Sequence, residues 1–299
     1  MTPRALLLSS ARRLREKGIP DPEEDASLLL SHLTGKNPLS LRLDTETILS
    51  EDTLTAYEAL LQRREQREPV QYLMGCTDFC SLSFRADARA LIPRPETAML
   101  ANWALEELKT IPHPAVLDLC CGTGCLGLTL LKNRKDMVLT LSDLSREALS
   151  LAQENAALLG LKAQFCQGDL FAPVKDSYDL ILCNPPYIPS EECLSLQPEV
   201  HWEPRMALDG GTDGLVFYRR LFREAPAHLR PGGLLMMEIG QGQGPAMHLL
   251  SKCSGGIQLT IRPDFAGIDR MVLVRFSEKD PISLTGDKTE LTLEERPYV

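Results

Sequence analysis

The first 75 residues carry their hydrophobic side chains at the spacing of amphipathic helices. One run ends at Gly18, a second extends from Asp21 to Gly35, and a third follows Ser50. Asp and Ser cap helix N-termini, and glycine often ends a helix because it accepts a left-handed backbone. No alternating strand pattern interrupts these runs. The pattern therefore predicts a small helical bundle over residues 1–75.

The pattern changes over residues 76–112. Around Phe79, Ser81, Leu82 and Phe84, apolar and polar residues alternate as they do in a β-hairpin. The stretch RPETAMLANWALEELKT that follows returns to helical spacing. We expect a hairpin and a linking helix in this region.

From residue 113 onward, short apolar segments alternate with helical ones. The predicted strands are AVLDLC, MVLTLS, AQFCQG, YDLILC, GGLLMMEIG, IQLTI and RMVLVRF. Strands separated by helices form a parallel sheet, whereas the last two, with no helix between them, should pair as an antiparallel hairpin. The expected fold class is α/β, with a seven-stranded, mostly parallel sheet over residues 113–277. The polar segment 278–299 has no clear period, and we expect it to be disordered.

The bulk composition narrows the class of protein. Of 299 residues, 43% are hydrophobic and 24% are charged, as in ordinary globular domains. No stretch approaches the roughly 18 consecutive apolar residues of a transmembrane helix. Basic residues follow the first apolar run where a secretory signal would have its cleavage site, so we expect a cytoplasmic protein with no membrane partner. The net charge of −9 disfavours direct binding of nucleic acid.

The chain contains nine cysteines, an odd number. No C-x-x-C pair with a nearby histidine completes a zinc pattern. We therefore expect buried free thiols, with no metal and no disulfide.

The segment VLDLCCGTGCLGL, which begins at Val116, fits two cofactor motifs. Read from Gly122 it is G-x-G-x-x-G, the turn of dinucleotide-binding enzymes; read from Asp118 it is close to D-x-G-x-G-x-G, the loop that binds S-adenosylmethionine. In both, glycines let the backbone approach the ligand, and a carboxylate after the next strand binds the ribose hydroxyls. Asp143, about 20 residues beyond Gly124, fits that role in either case. These residues alone do not distinguish a dinucleotide from S-adenosylmethionine as the cofactor.

Two further features favour S-adenosylmethionine. Asp118 lies within a strand where dinucleotide-binding enzymes normally carry an apolar residue. A carboxylate there suits the cationic methionine end of the cofactor, although it could instead accept a hydrogen bond from the turn. The strand YDLILC also runs directly into Asn184-Pro185-Pro186-Tyr187, at the edge of the sheet where open α/β folds bind ligands.

The chemistry of this tetrad suits methylation of an amide or an aromatic amine. Such a nitrogen is a poor nucleophile because its lone pair is delocalised. The side-chain oxygen of Asn184 and the carbonyl of Pro185 form an acceptor pair that takes both N–H groups and directs the lone pair at a methyl group. The prolines fix the backbone, and Tyr187 offers a flat surface on which a planar group stacks.

The chain resembles the release factor glutamine methyltransferases (the HemK family) over roughly residues 1–276. The stretches that carry the resemblance are PVQYLMG, LIPRPET, VLDLCCGTG, SDLS, GDLF, NPPYIP, EPRMALDGGTDGLVFYRRL, EIGQGQ and DFAGIDR. The resemblance implies a Rossmann-like methyltransferase domain. It also implies S-adenosylmethionine-dependent methylation of the glutamine amide in the Gly-Gly-Gln loop of peptide chain release factors, with S-adenosylhomocysteine as product. Residues 1–75 would then dock a second face of the release factor, and we expect a monomer.

The resemblance also implies roles for individual residues. The cofactor loop corresponds to Cys120, Cys121, Gly122, Thr123 and Gly124. Asp143 would bind the ribose, and Asp169 and Leu170 would lie beside the adenine. The substrate would be bound by Asn184, Pro185, Pro186 and Tyr187, with Asn184 also touching the cofactor and Asn184, Pro185 and Tyr187 acting in catalysis. His201 is not expected to be catalytic.

Two positions depart from the family pattern. Cys120 replaces the usual first glycine, so either its φ is negative or the affinity for the cofactor is lowered. Ala98 replaces a glutamate after RPET, which removes a charged contact. Methylation of a ribosomal-protein glutamine, methylation of an exocyclic amine of nucleic acid, and a role without catalysis remain as alternatives.

Overall fold

The computed structural model describes residues 1–277, and the prediction made for residues 278–299 lies outside them. Ser50 caps its helix as predicted, accepting a hydrogen bond from the backbone N–H of Thr53 at 3.2 Å. Asp21 also lies at the N-cap position of its helix, but its side chain makes no capping hydrogen bond with the described residues, and its φ and ψ are −118° and 61°. The helices are α1 Pro3–Glu16, α2 Pro22–Thr34, α3 Pro38–Leu43, α4 Glu51–Glu65 and α5 Val70–Met74.

The remaining described residues form a hairpin, a linking helix and a sheet flanked by helices. Over residues 1–277, no helix is long and apolar enough to span a bilayer. The strands are β1 Cys76–Phe79, β2 Leu82–Arg85, β3 Ala115–Leu119, β4 Val138–Asp143, β5 Gln164–Gln167, β6 Tyr178–Cys183, β7 Leu229–Glu238, β8 Gly256–Pro263 and β9 Asp269–Phe276. The helices are α6 Pro95–Glu107, α7 Cys125–Asn133, α8 Arg146–Leu159, α9 Val216–Glu224 and α10 Gly244–Cys253.

The large sheet has seven strands in the order β5-β4-β3-β6-β7-β9-β8. Strands β3 to β7 are parallel, and β9 pairs antiparallel with both β7 and β8. The predicted fold class is therefore confirmed, including the final antiparallel hairpin. The order of strands reverses between β3 and β6, and such a switch point opens a crevice at the carboxyl ends of the strands.

Hydrophobic side chains cover both faces of the sheet. Alternate residues of β3 contribute to different clusters: Val116 packs with Leu100, Leu128 and other residues on one face, and Leu117 packs with Tyr218 and others on the opposite face. Because β3 is buried on both faces, its side chains cannot reach solvent except at its end. The loops after the parallel strands therefore provide the polar groups of a site.

A buried arginine connects the N-terminal helices to the sheet domain. Arg64, on α4, is only 3% exposed. Its guanidinium donates to Asp25 of α2 at 2.7 Å and to Glu199, in the loop between β6 and α9, at 2.8 Å. Arg67 donates to the other oxygen of Glu199 at 2.7 Å. These ion pairs fix the helical residues against the loop that follows β6.

Candidate active site

A cavity of about 280 Å³ lies at the carboxyl ends of the parallel strands. Its walls come from the loops after β3, β4, β5 and β6, together with the segment before α6 and the loop before α9. Of the residues predicted for the site, ten line it: Asp118, Cys120, Cys121, Gly122, Thr123, Asp143, Asp169, Leu170, Asn184 and Pro186. Within the described chain, Gly124, Pro185 and Tyr187 are not part of the lining.

The glycine-rich loop turns through three residues with a left-handed backbone. Gly122 and Gly124 have φ of 53° and 76°, and Cys120 has φ of 54°. The possibility that Cys120 takes a negative φ is therefore wrong. At Gly124 a Cβ would lie 3.1 Å from Leu128 and 3.2 Å from Ala152, so these side chains would have to shift to make room for it. Among residues 1–277, a Cβ on Gly122 would meet only Ala90, at 3.8 Å, so these residues leave room for a ligand to approach the backbone there.

Asp118 is buried at the cavity wall, 1% exposed, and accepts a hydrogen bond from the backbone N–H of Gly127 at 2.9 Å. Burial raises the pKa of Asp118 to about 7; the Gly127 hydrogen bond lowers this pKa, and the nearby carboxylate of Asp143 raises it. The hydrogen bond to the turn is therefore present, and the residue also faces the cavity. A nearby positive charge would favour the ionised form of this carboxyl.

Asp143 is the last residue of β4, and its two oxygens are held by backbone donors. The N–H of Gly122 donates to Oδ2 and the N–H of Ser145 donates to Oδ1, both at 2.9 Å. Burial raises the pKa of this carboxyl, and the backbone hydrogen bonds lower it. Each carboxylate oxygen has further lone pairs, so the fixed carboxylate is able to accept hydrogen bonds from ligand hydroxyls.

The loop after β5 places Asp169 and Leu170 at the cavity. Leu170 is buried, with φ of 47°, and Asp169 accepts a hydrogen bond from Arg220 on α9 at 2.8 Å. The side chain of Asp169 remains about half exposed, at 51%. An apolar side chain beside a carboxylate suits a flat heterocycle with polar edges.

The corner Asn184–Tyr187 follows β6 and is tightly packed. Pro185 and Pro186 are buried. Gln243 donates to the carbonyl of Tyr187 at 3.0 Å, and a Cβ on Gly210 would lie only 2.8 Å from the Tyr187 Cα. The loop before α9 must therefore approach the corner through glycine backbone. Tyr187 is directed toward the protein interior, where its hydroxyl donates to Glu238 at 3.2 Å.

Two residues that the sequence patterns did not single out contact this corner. Thr97, in the first turn of α6, accepts a hydrogen bond from Asn184 Nδ2 at 3.3 Å and donates to Glu238 Oε2 at 2.6 Å. Glu238, the last residue of β7, is 1% exposed. Thr97 is the last residue of the stretch LIPRPET, and Glu238 is the first residue of EIGQGQ; both stretches carry the family resemblance. However, no spacing in the sequence indicates that residues 141 positions apart are in contact.

Two of the cysteines that line the cavity, Cys121 and Cys125, are buried free thiols. Burial raises the pKa of Cys125 to about 12 and that of Cys121 well above its ordinary value. Because only a thiolate is a strong nucleophile, these side chains contribute shape rather than covalent chemistry.

Family models match two parts of the chain. One, described as PrmC N-terminal domain, matches residues 5–75, and another, described as Methyltransferase small domain, matches residues 99–197. The chain is 41% identical over 272 residues to a protein of Deinococcus radiodurans named Release factor glutamine methyltransferase, covering 91% of this chain and 98% of the relative. A protein of the same name from Cereibacter sphaeroides is 42% identical over 272 residues, covering 90% and 96%.

Solved structures share the fold at low sequence identity. The catalytic domain of hMettl16, solved in complex with MAT2A 3'UTR hairpin 6, has a TM-score of 0.55 and 15% identity, covering 78% of this chain and 84% of that chain. A methyltransferase from Pyrococcus furiosus has a TM-score of 0.50 and 15% identity, covering 66% and 90%. These similarities concern the architecture of the methyltransferase sheet.

Proposed function

Because this chain belongs to the family of release factor glutamine methyltransferases, we propose that it methylates a glutamine side-chain amide in peptide chain release factors, with S-adenosylmethionine as methyl donor. The substrate glutamine is that of the Gly-Gly-Gln loop, and the reaction takes place in the cytoplasm with a monomeric enzyme. One observation carries the proposal: Asn184, the first residue of the Asn-Pro-Pro-Tyr corner, lines the same cavity as the glycine-rich loop and Asp143.

The residues around the cavity fit S-adenosylmethionine. The open backbone at Gly122 supports close approach of the ligand, and the fixed carboxylate of Asp143 suits the ribose hydroxyls. Leu170 and Asp169 suit the adenine, and the buried carboxyl of Asp118 suits the cationic methionine end. When bound, the cofactor supplies an electrophilic methyl group on its sulfonium and leaves as S-adenosylhomocysteine.

The corner activates the substrate amide by binding its two N–H groups. In this proposal, Asn184 Oδ1 accepts one N–H. The carbonyl of Pro185, which lies between the lining residues Asn184 and Pro186, accepts the other and holds the nitrogen toward the methyl group. As the N–C bond forms and the S–C bond breaks, positive charge grows on the nitrogen, and both acceptors stabilise it more strongly than they do the neutral amide. The alkylated nitrogen is acidic and loses its proton to water, so no strong base is required.

The N-terminal helices provide a second contact with the protein substrate in this proposal. Residues 1–75 are fixed to the loop after β6 through Arg64, Arg67 and Glu199. Since that loop also borders the cavity through Met206 and Asp209, a release factor docked on the helices is held at a constant distance from Asn184. The glutamine then reaches the corner as part of an oriented loop.

A methyl-transfer assay tests the choice of substrate. We expect incorporation of labelled methyl into a purified release factor, and none into its variant with Gln→Ala in the Gly-Gly-Gln loop. A ribosomal protein and duplex DNA are offered in parallel. Methylation of either one in preference to the release factor would replace the proposed substrate.

Substitution of Asn184 tests the role of the corner. Asn184→Ala removes one acceptor for the amide and should lower kcat by about 10²- to 10³-fold, the usual effect of deleting one charge-stabilising hydrogen bond. Asn102→Ala, at an exposed position on α6 outside the cavity lining, is the matched control and should keep wild-type kinetics. Wild-type turnover by Asn184→Ala would refute the mechanism.

A further inference from the structure

One buried carboxylate holds both ends of the Asn184–Tyr187 corner. Glu238 Oε1 accepts a hydrogen bond from the hydroxyl of Tyr187 at 3.2 Å, and Oε2 accepts one from the hydroxyl of Thr97 at 2.6 Å. Thr97 in turn accepts from Asn184 Nδ2 at 3.3 Å. The first and last residues of the corner are therefore connected through a carboxylate that is 1% exposed.

The direction of these hydrogen bonds decides how the amide of Asn184 is turned. The Thr97 hydroxyl donates its single proton to Glu238 Oε2, which lies 2.6 Å away. Thr97 then presents only lone pairs to Asn184, and a lone pair attracts the NH₂ end of an amide, not its oxygen. With Nδ2 engaged, Oδ1 is turned away from Thr97, which frees it as an acceptor.

Burial has the largest effect on the pKa of Glu238, and the two hydroxyl groups that donate to this carboxyl act against it. Burial raises the pKa of this carboxyl, whereas the hydrogen bonds from Thr97 and Tyr187 lower it. Among the charged groups nearby, Arg270 also lowers the pKa and Glu96 raises it. The two hydroxyl donors thus offset part of the cost of burying the charge.

We propose that Glu238 and Thr97 are positioning residues that fix Asn184 with its side-chain oxygen toward the substrate amide. This inference rests on the proposed function, because the oxygen is needed as an acceptor only if the substrate offers N–H groups. Without the hydroxyl of Thr97, the side-chain amide of Asn184 is free to rotate so that its oxygen and nitrogen exchange positions. It then presents its own N–H groups to those of the substrate, and the reacting nitrogen is repelled from its position.

Two substitutions at Thr97 separate positioning from packing. Thr97→Val keeps the size and removes the hydroxyl, whereas Thr97→Ser keeps the hydroxyl and removes a methyl group. If Thr97 positions Asn184, Thr97→Val lowers kcat by about 10- to 100-fold, which is the effect of a small misplacement of reacting groups. Thr97→Ser then retains most of the wild-type kcat. If Thr97 only fills space, Ser is the more damaging change, because it leaves a cavity.

The control for loss of a buried hydroxyl is Thr129→Val. Thr129, on α7, is 1% exposed, and its hydroxyl has no hydrogen-bond partner among the residues that the structure describes. This variant should keep the wild-type kcat. Affinity for S-adenosylhomocysteine, measured by calorimetry, should stay within about twofold of wild type in Thr129→Val. In Thr97→Val it should change much less than kcat, because the side chain of Thr97 is not part of the glycine-rich loop.

Glu238→Gln provides the second test. A glutamine offers an N–H group to Thr97, which allows the hydroxyl to donate to Asn184 instead and to select the opposite orientation of its amide. We expect kcat to fall by about tenfold or more with little change in cofactor affinity. If this variant does not fold, the comparison of Thr97→Val with Thr97→Ser still decides the question.

The outcomes distinguish this inference from the proposed function. A wild-type enzyme that does not methylate the release factor glutamine overturns the proposed function. A wild-type enzyme that does so, with Thr97→Val as active as Thr97→Ser, overturns the positioning role alone. A lower kcat in Thr97→Val together with a retained kcat in Thr97→Ser supports both the proposed function and the positioning role.

Discussion

Replacing Asp118 by asparagine should stabilise the ligand-free protein at neutral pH. This carboxyl is 1% exposed, and burial raises its pKa from 3.8 to about 7. In the unfolded chain the group ionises near 3.8, whereas in the folded protein it keeps its proton until about pH 7. Between these values the unfolded state binds fewer protons, so the free energy of unfolding of the wild type falls as pH rises. The asparagine side chain of the variant does not ionise, and it keeps an oxygen for the Gly127 N–H.

The magnitude follows from the difference between the two pKa values. About three pH units at 1.36 kcal/mol each amount to about 4 kcal/mol at pH 8, where both states are largely ionised. At pH 5 the folded carboxyl is still protonated and the penalty is only about 1.5 kcal/mol. The stability advantage of Asp118→Asn should therefore widen by about 2–3 kcal/mol between pH 5 and pH 8.

Urea denaturation of the ligand-free protein at the two pH values measures this difference. Asp78→Asn, the same chemical change at an exposed position on β1, serves as the control and should show no widening. If the advantage of Asp118→Asn is the same at pH 5 and pH 8, the carboxyl ionises at the same pH in both states. The argument from burial would then be refuted.

Two further predictions concern the loop and the connection between domains. Cys120→Gly removes the strain of a side chain on a left-handed backbone, at φ of 54°, but glycine is also more flexible in the unfolded chain. Because these two effects oppose each other, the free energy of unfolding should change by less than about 1 kcal/mol. Calorimetry should show severalfold tighter S-adenosylhomocysteine binding because a side chain leaves the cavity; unchanged affinity would contradict this. Arg64→Met leaves Asp25 and Glu199 without their shared cation and should lower the free energy of unfolding in urea by about 3–5 kcal/mol. A loss below about 1 kcal/mol would show that the buried pairs contribute little.

The sheet and the glycine-rich loop could be predicted because both depend on local patterns. Buried parallel strands read as short apolar runs, and helices between them bring the carboxyl ends of the strands to one edge. Asp143 ends one such run and Asn184 directly follows another, so the chain order alone places them at the same edge. The cavity lining agrees with that reasoning for both residues.

Other features depend on tertiary contacts that no local pattern records. The backbone of Cys120 is left-handed although its side chain disfavours it, because the turn between β3 and α7 requires that conformation. Tyr187 suggested a stacking surface for the substrate, but whether its ring faces the cavity or the interior depends on a partner 51 residues away. The hydrophobic pattern indicates which face of a helix or strand is buried, but it does not indicate which residue forms a hydrogen bond with a buried polar group such as the Tyr187 hydroxyl.

The register of the sheet explains why Glu238 is that partner. Cys183 of β6 lies opposite Met237 of β7, so Asn184, the residue after β6, and Glu238, the last residue of β7, lie at the same level. A carboxylate at the end of one strand is thereby placed beside an amide at the end of its neighbour, and Thr97 bridges the two from α6. Since this adjacency follows only once β6 and β7 are known to be neighbours, the residue that orients the corner becomes visible from the strand order rather than from its own sequence motif.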